Sequence, residues 1–179
     1  MMYKLPALLL LSLSLASFSQ MNEEELISWT EGRKLTWADY KGNAKSGTDA
    51  AASTATYLGI EYNFNSKGFG YKITCSFSKT RSWGLHKTEY ILAHEQGHFD
   101  IAEIHARKLH KLLKSYKFNS RTVSRDVNKI YDTVMKEHHA FQSQYDQETN
   151  YSRDFTIQDE WLTKIESELK KLESYSNYQ

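Results

Sequence analysis

Apolar residues in this chain change their spacing once, near Thr88, and that change decides the fold class. Upstream, Leu58, Ile60, Tyr62 and Phe64 alternate with Gly59, Glu61 and Asn63. Beyond Asn65-Ser66-Lys67-Gly68, the residues Tyr71, Ile73, Cys75 and Phe77 alternate with Lys72, Thr74, Ser76 and Ser78. Residues two apart share one face of a strand, so two such runs around a glycine-containing turn predict a β-hairpin. Downstream the period becomes 3.6. A helix over residues 88–116 carries Tyr90, Ile91, Ile101, Ala102, Leu109 and Leu112 on one stripe. A second, over 122–148, turns Val127, Ile130, Tyr131, Val134, Phe141 and Tyr145 inward. A third, over 157–174, does the same with Ile157, Trp161, Ile165, Leu169 and Leu172. The expected class is α+β, a small antiparallel sheet packed on about three helices. Ahead of the hairpin, Trp29 to Gly42 holds Trp29, Leu35, Trp37 and Tyr40 between turn signals. Residues 43–55 are small and polar and read as a flexible loop.

The first 19 residues stand apart from this plan. A short positive start ending at Lys4 leads into an apolar run from Leu5 to Ala16, then small residues at Ala16-Ser17-Phe18-Ser19-Gln20. That is the layout of a secretory signal peptide, and the run is short for a bilayer span. The expected organisation is a signal peptide over 1–19 and a single domain over 20–179, exported to the periplasm or the extracellular space. Without Lys4 the 23 basic residues become 22, equal to the 22 acidic ones. A neutral chain with no basic cluster lacks the surface that displaces counterions from nucleic acid. No other apolar run reaches membrane-spanning length, so no stable insertion is expected after cleavage. Cys75 is the sole cysteine, which excludes an internal disulfide, and its place on the apolar strand face predicts burial.

The chemistry concentrates at His94-Glu95-Gln96-Gly97-His98. Two histidines four apart on a helix project from one face, one turn above the other, and can converge on one metal ion. Zinc accepts neutral imidazole and, in a catalytic site, keeps one position for water whose pKa it lowers to about 7. Glu95, about 100° round the helix, is placed to take the water's proton and return it to a leaving amine. The two histidines also lie in the middle of the stripe of Tyr90, Ile91, Ile101 and Leu109. Buried unpaired polar groups cost about 1–3 kcal/mol each, and a shared metal satisfies both rings at once. The plainer alternative has both rings hydrogen-bonded within the core. His105 shares the face but sits about 10 Å along the axis, too far to join the same ion. His86 precedes the helix and is a candidate for lining the cleft, His138 falls on the inner face of the second helix, and His110 and His139 read as solvated.

The stretch Leu92 to Arg107, LAHEQGHFDIAEIHAR, resembles a family of exported bacterial proteins of unknown physiological role described as secreted zinc-dependent proteases. Trp37-Ala38-Asp39-Tyr40-Lys41-Gly42 resembles the family's N-terminal tryptophan-x-aspartate-aromatic-x-glycine element. Tyr145-Asp146 with Thr149, and Gln158 with Trp161, resemble its C-terminal element. The resemblance implies a zincin-like fold, Zn2+ held by His94 and His98, Glu95 as general base, and a peptide or protein substrate. One departure bears on the third ligand. Where the family has histidine-glycine, this chain has Tyr151-Ser152. Asp146, Tyr151 and His138, in that order, are the replacements, whereas Glu103 points about 140° away from His98. Tyr145, Tyr151 and Arg107 are the candidates for stabilising an oxyanion.

The expected function is that of an exported zinc metallopeptidase. An edge of the hairpin over 58–78 would hold an extended substrate by strand addition. The competing expectations are a non-catalytic exported domain that binds zinc or a partner, and a helical envelope protein in which the histidine pair is accidental.

Overall fold

The alternating runs pair as a hairpin. In the computed structural model, which describes residues 25–44, 46–66 and 68–178, strands β3 (Thr56–Asn65) and β4 (Gly68–Ser78) run antiparallel from Thr56 opposite Phe77 to Asn65 opposite Gly68. Strand β1 (Leu26–Ser28) adds to the far edge of β4, so the sheet order is β1-β4-β3. A second, two-residue ladder joins β2 (Ala52–Ser53) to β5 (Trp83–Gly84). The signal peptide expected over residues 1–19 lies outside the described residues.

Helix α1 (Glu89–Ser115) begins at Thr88, whose hydroxyl accepts the Ile91 N–H at 3.2 Å. Glu89 in the first turn and Lys114 in the last complement the helix dipole. Phe99, Ala102, Ala106 and Leu109 pack on Leu58, Ile73, Cys75 and Phe77 of the sheet. On the opposite side Ile101 and Ile104 meet Tyr145 of α2 (Val123–Glu148) and Trp161 and Ile165 of α3 (Phe155–Lys171). Each fully buried Leu, Ile or Phe among them contributes about 1.5–3 kcal/mol. Leu113, rather than the expected Leu112, turns inward toward Val123 and Val127, and Leu112 is exposed. The architecture is α+β, with a small antiparallel sheet and three helices.

Layers on both sides bury α1 all round its middle, from Phe99 to Arg107. Three charged residues therefore leave water, and each needs a partner. Asp100 accepts the Trp29 indole N–H at 2.7 Å and the Gln96 amide at 2.8 Å. Arg107 donates to Glu103 at 2.8 Å and to the Leu169 carbonyl at 2.7 Å, and the Tyr178 hydroxyl donates to Glu103. Gln96 also accepts the Leu35 N–H at 2.8 Å. These bonds fasten the N-terminal segment and the chain's end to the back of α1, leaving its front for chemistry. Among the described residues, no helix is long and apolar enough to cross a membrane.

Candidate metal centre

His94 and His98 project from the front of α1 toward α2, as their spacing of four requires. Opposite them, His138, Gln142 and Asp146 stand four apart on one face of α2. The helices run antiparallel, so His94 and His98 meet Asp146, His98 also meets Gln142, and His105 lies beside His138 with 5.2 Å between ring centroids.

Asp146 Oδ1 is 3.2 Å from His94 Nε2 and 3.0 Å from His98 Nε2. All three ligand atoms lie within 4.8 Å of one another. Ligands bonded at roughly 2.0–2.1 Å in a tetrahedron sit about 3.3 Å apart, so the two measured separations fit a shared ion. Among the described residues, this is the one histidine, cysteine and carboxylate grouping of that kind. His94 is buried and its Nδ1 has no hydrogen-bond partner. Three neutral-to-anionic donors on two helices can hold a divalent cation.

Electrostatics bind the trio in the absence of an ion. Burial works against a charge on His98, but the hydrogen bond to Asp146 and the charges of Glu95 and Asp146 outweigh it and raise the pKa to about 9. Burial likewise disfavours the Asp146 carboxylate, yet the hydrogen bonds from His94 and His98 prevail and hold it well below the usual range. A proton shared between imidazole and carboxylate thus occupies the place a cation would take. Burial keeps His105 and His138 neutral, with pKa values of about 4 and about 3.

Glu95 is buried beside the trio, and its Oε2 has no partner. It lines the same cleft of about 530 Å³ as His94, His98, Asp146 and His138. The opposite wall is the segment from Ala50 to Thr56, which contains β2. The loop expected over 43–55 is therefore, at its end, a strand in the cleft wall. The N-terminal aromatic block holds that wall: the Tyr40 and Thr54 hydroxyls are 2.8 Å apart, and Trp37 donates to the Thr88 carbonyl at 3.2 Å. Gly84 is required beneath Trp37, where a Cβ would stand 2.6 Å from the indole.

The other sequence candidates take distinct places. Tyr151 is exposed at the cleft rim, in a run with Asn150 and Ser152 of left-handed backbone (φ 48°, 52° and 63°). His138 lies in the cleft wall but outside the ligand trio. Glu103 faces away, as its phase predicts. Arg107 is nine residues beyond His98, half a turn out of phase, and is bonded to Glu103 behind the helix, so it cannot meet an oxyanion in the cleft. Tyr145 is fully buried under His94, rings 4.5 Å apart, with its hydroxyl on the His94 carbonyl at 3.3 Å. Its role is support. His86 is exposed and is not part of the cleft wall, and His110 meets Tyr71 at 3.2 Å. Gln142 was not anticipated, since a lone glutamine carries no motif. Its spacing of four from both His138 and Asp146 is the signal that could have found it.

The profile of a family described as bacterial protein of unknown function (DUF922) matches residues 20–154, a stretch that includes His94, Glu95, His98, Gln142, Asp146 and Tyr151. No curated protein and no solved structure matches the chain. With well over half its length covered by that profile, the chain belongs to the DUF922 family of bacterial proteins of unknown function.

Proposed function

We propose that this chain is an exported, zincin-like, zinc-dependent peptidase acting in the periplasm or outside the cell. One observation carries the reading: His94, His98 and Asp146 converge beside a buried Glu95 whose Oε2 is unpartnered and lines the same cleft. Zinc at the trio would supply Lewis acidity, enough to bring the pKa of water to about 7. Glu95 Oε2 takes the proton of the attacking water and passes it to the departing amine nitrogen, so the carboxylate is regenerated. His94 and His98 serve as neutral ligands, with Asp146 as the third in place of the histidine the family resemblance implies at Tyr151.

We place the substrate edge on β2, which lies in the cleft wall, in preference to the hairpin edge. Among the described residues Ala52 and Ser53 pair with β5 alone, and the small side chains from Ala50 to Ala55 leave room for an extended peptide along the wall. Glu95→Gln should keep zinc and lose peptidase activity by a factor of roughly 10²–10⁴, the usual worth of general acid–base catalysis. A Glu95→Gln protein that cleaves peptides at the wild-type rate overturns the proposal.

A second reading, a non-catalytic exported domain, draws on the Asp146–imidazole bonds, which already satisfy much of the site without metal. It predicts that Glu95→Gln is silent and that His94→Ala lowers stability where a metal is structural.

A further inference from the structure

Gln142 of α2 makes three hydrogen bonds, and their donors and acceptors can be assigned completely. The His98 carbonyl can only accept, so the Gln142 atom 2.9 Å from it is the amide nitrogen, Nε2. That places Oε1 against His98 Nδ1 at 2.5 Å. An amide oxygen can only accept, so His98 Nδ1 must carry a proton. The second Nε2 hydrogen points to His138 Nε2 at 3.0 Å, which must then be a lone pair. Reversing the amide would set oxygen against the His98 carbonyl oxygen. The orientation is therefore fixed by that carbonyl.

We propose that Gln142 is a positioning residue of the metal centre, holding His98 as the Nδ1-protonated tautomer so that its Nε2 lone pair faces the cation site, with His138 fixing the amide. This rests on the trio binding metal, as proposed above. A ligating imidazole depends on the hydrogen bond made by its other nitrogen for both ring orientation and tautomer. His94 has no such partner, since its Nδ1 is unbonded, so control of tautomer falls on His98 alone. His138 serves without ligating. Its Nε2 is committed to Gln142, and its ring packs beside His105, outside the ligand trio.

The experiment pairs two readouts on full-length protein with the leader removed: zinc affinity by competition with a chromogenic chelator, and ¹H–¹⁵N correlation of the histidine rings. In metal-free Asp146→Ala, which removes the carboxylate that competes for the ring proton, the neutral His98 ring should carry its proton on Nδ1; the Gln142 variants are read on this background for the tautomer and without it for affinity. In Gln142→Leu the proton should distribute between both nitrogens, and the zinc Kd should rise roughly 10- to 100-fold, the usual cost of losing such a partner. Gln142→Glu keeps the acceptor for His98 but loses both donors, so it should retain the Nδ1 proton and recover part of the affinity. An Asp146→Ala protein whose neutral His98 is protonated on Nε2 overturns the proposal. So does a Gln142→Leu protein with wild-type affinity and tautomer. If wild type binds no zinc, the functional reading fails, yet the ring measurement on Asp146→Ala, with and without Gln142→Leu, still decides the tautomer.

Discussion

Gly97→Ala inserts one methyl group where the two helices carrying the candidate metal ligands touch. A Cβ on Gly97 would stand 2.6 Å from the Tyr145 hydroxyl oxygen, 2.9 Å from Cζ and 3.0 Å from Cε1. Tyr145 cannot swing aside, because it is fully buried between His94, His98 and Trp161. The strain must be relieved by moving α2 away from α1, which carries Asp146, the next residue, with it. Overpacking of a well-filled core costs about 1–3 kcal/mol, and so rigid a neighbour puts this case near about 3. Alanine returns about 1 kcal/mol through helix propensity. The net loss is about 2 kcal/mol, a fall of about 4–8 °C in Tm for a chain of this size. Zinc affinity should fall as well, by about tenfold or more, since the third ligand is displaced. Thermal melts in chelator and zinc competition titrations measure the two separately. Adding Tyr145→Phe removes the closest atom and should restore part of both. A Gly97→Ala protein that melts higher than wild type and binds zinc equally well refutes the account of how α2 is docked.

Two further outcomes follow from groups outside the trio. His105 and His138 titrate near 6.5 in the unfolded chain but near about 4 and about 3 when folded. The unfolded chain holds more protons in that interval, so metal-free stability should fall as pH drops below about 6.5, by up to about 1.4 kcal/mol per pH unit for each histidine. His105→Leu should halve the slope, and a Tm independent of pH between 6.5 and 4.5 contradicts the burial of both rings. Trp29→Phe removes the indole donor to the buried Asp100 carboxylate and should cost about 1–3 kcal/mol by denaturant titration. A cost below about 0.5 kcal/mol would show that the network behind α1 does not fasten the N-terminal segment.

The elements that were legible in the sequence are those whose environment is one-sided. Period-2 alternation marked β3 and β4, and the long 3.6-residue stripes marked α1, α2 and α3. Strands β1 and β2 escaped because two or three residues cannot display a period, and Ala50 to Ala52 lacks the bulky side chains that mark a buried face. The stripe on α1 understated the burial of Asp100, Glu103 and Arg107, since helices and sheet cover both sides and charge pairing makes that tolerable. At the site, spacing alone aligned His94 with His98 and put Asp146 on the side of α2 shared with His138. Arg107 was misplaced as an oxyanion candidate by nearness in sequence, although its phase already set it behind the helix. Gln142 went unseen because its role exists only where two helices meet.

On the proposed reading His94, His98 and Asp146 together hold zinc, and anomalous diffraction at the zinc edge, from crystals of zinc-loaded protein, would locate the ion. One ion per chain is expected, bonded to His94 Nε2, His98 Nε2 and an Asp146 carboxylate oxygen, with a position left for water beside Glu95. Peaks only elsewhere, or no stoichiometric zinc, would contradict it.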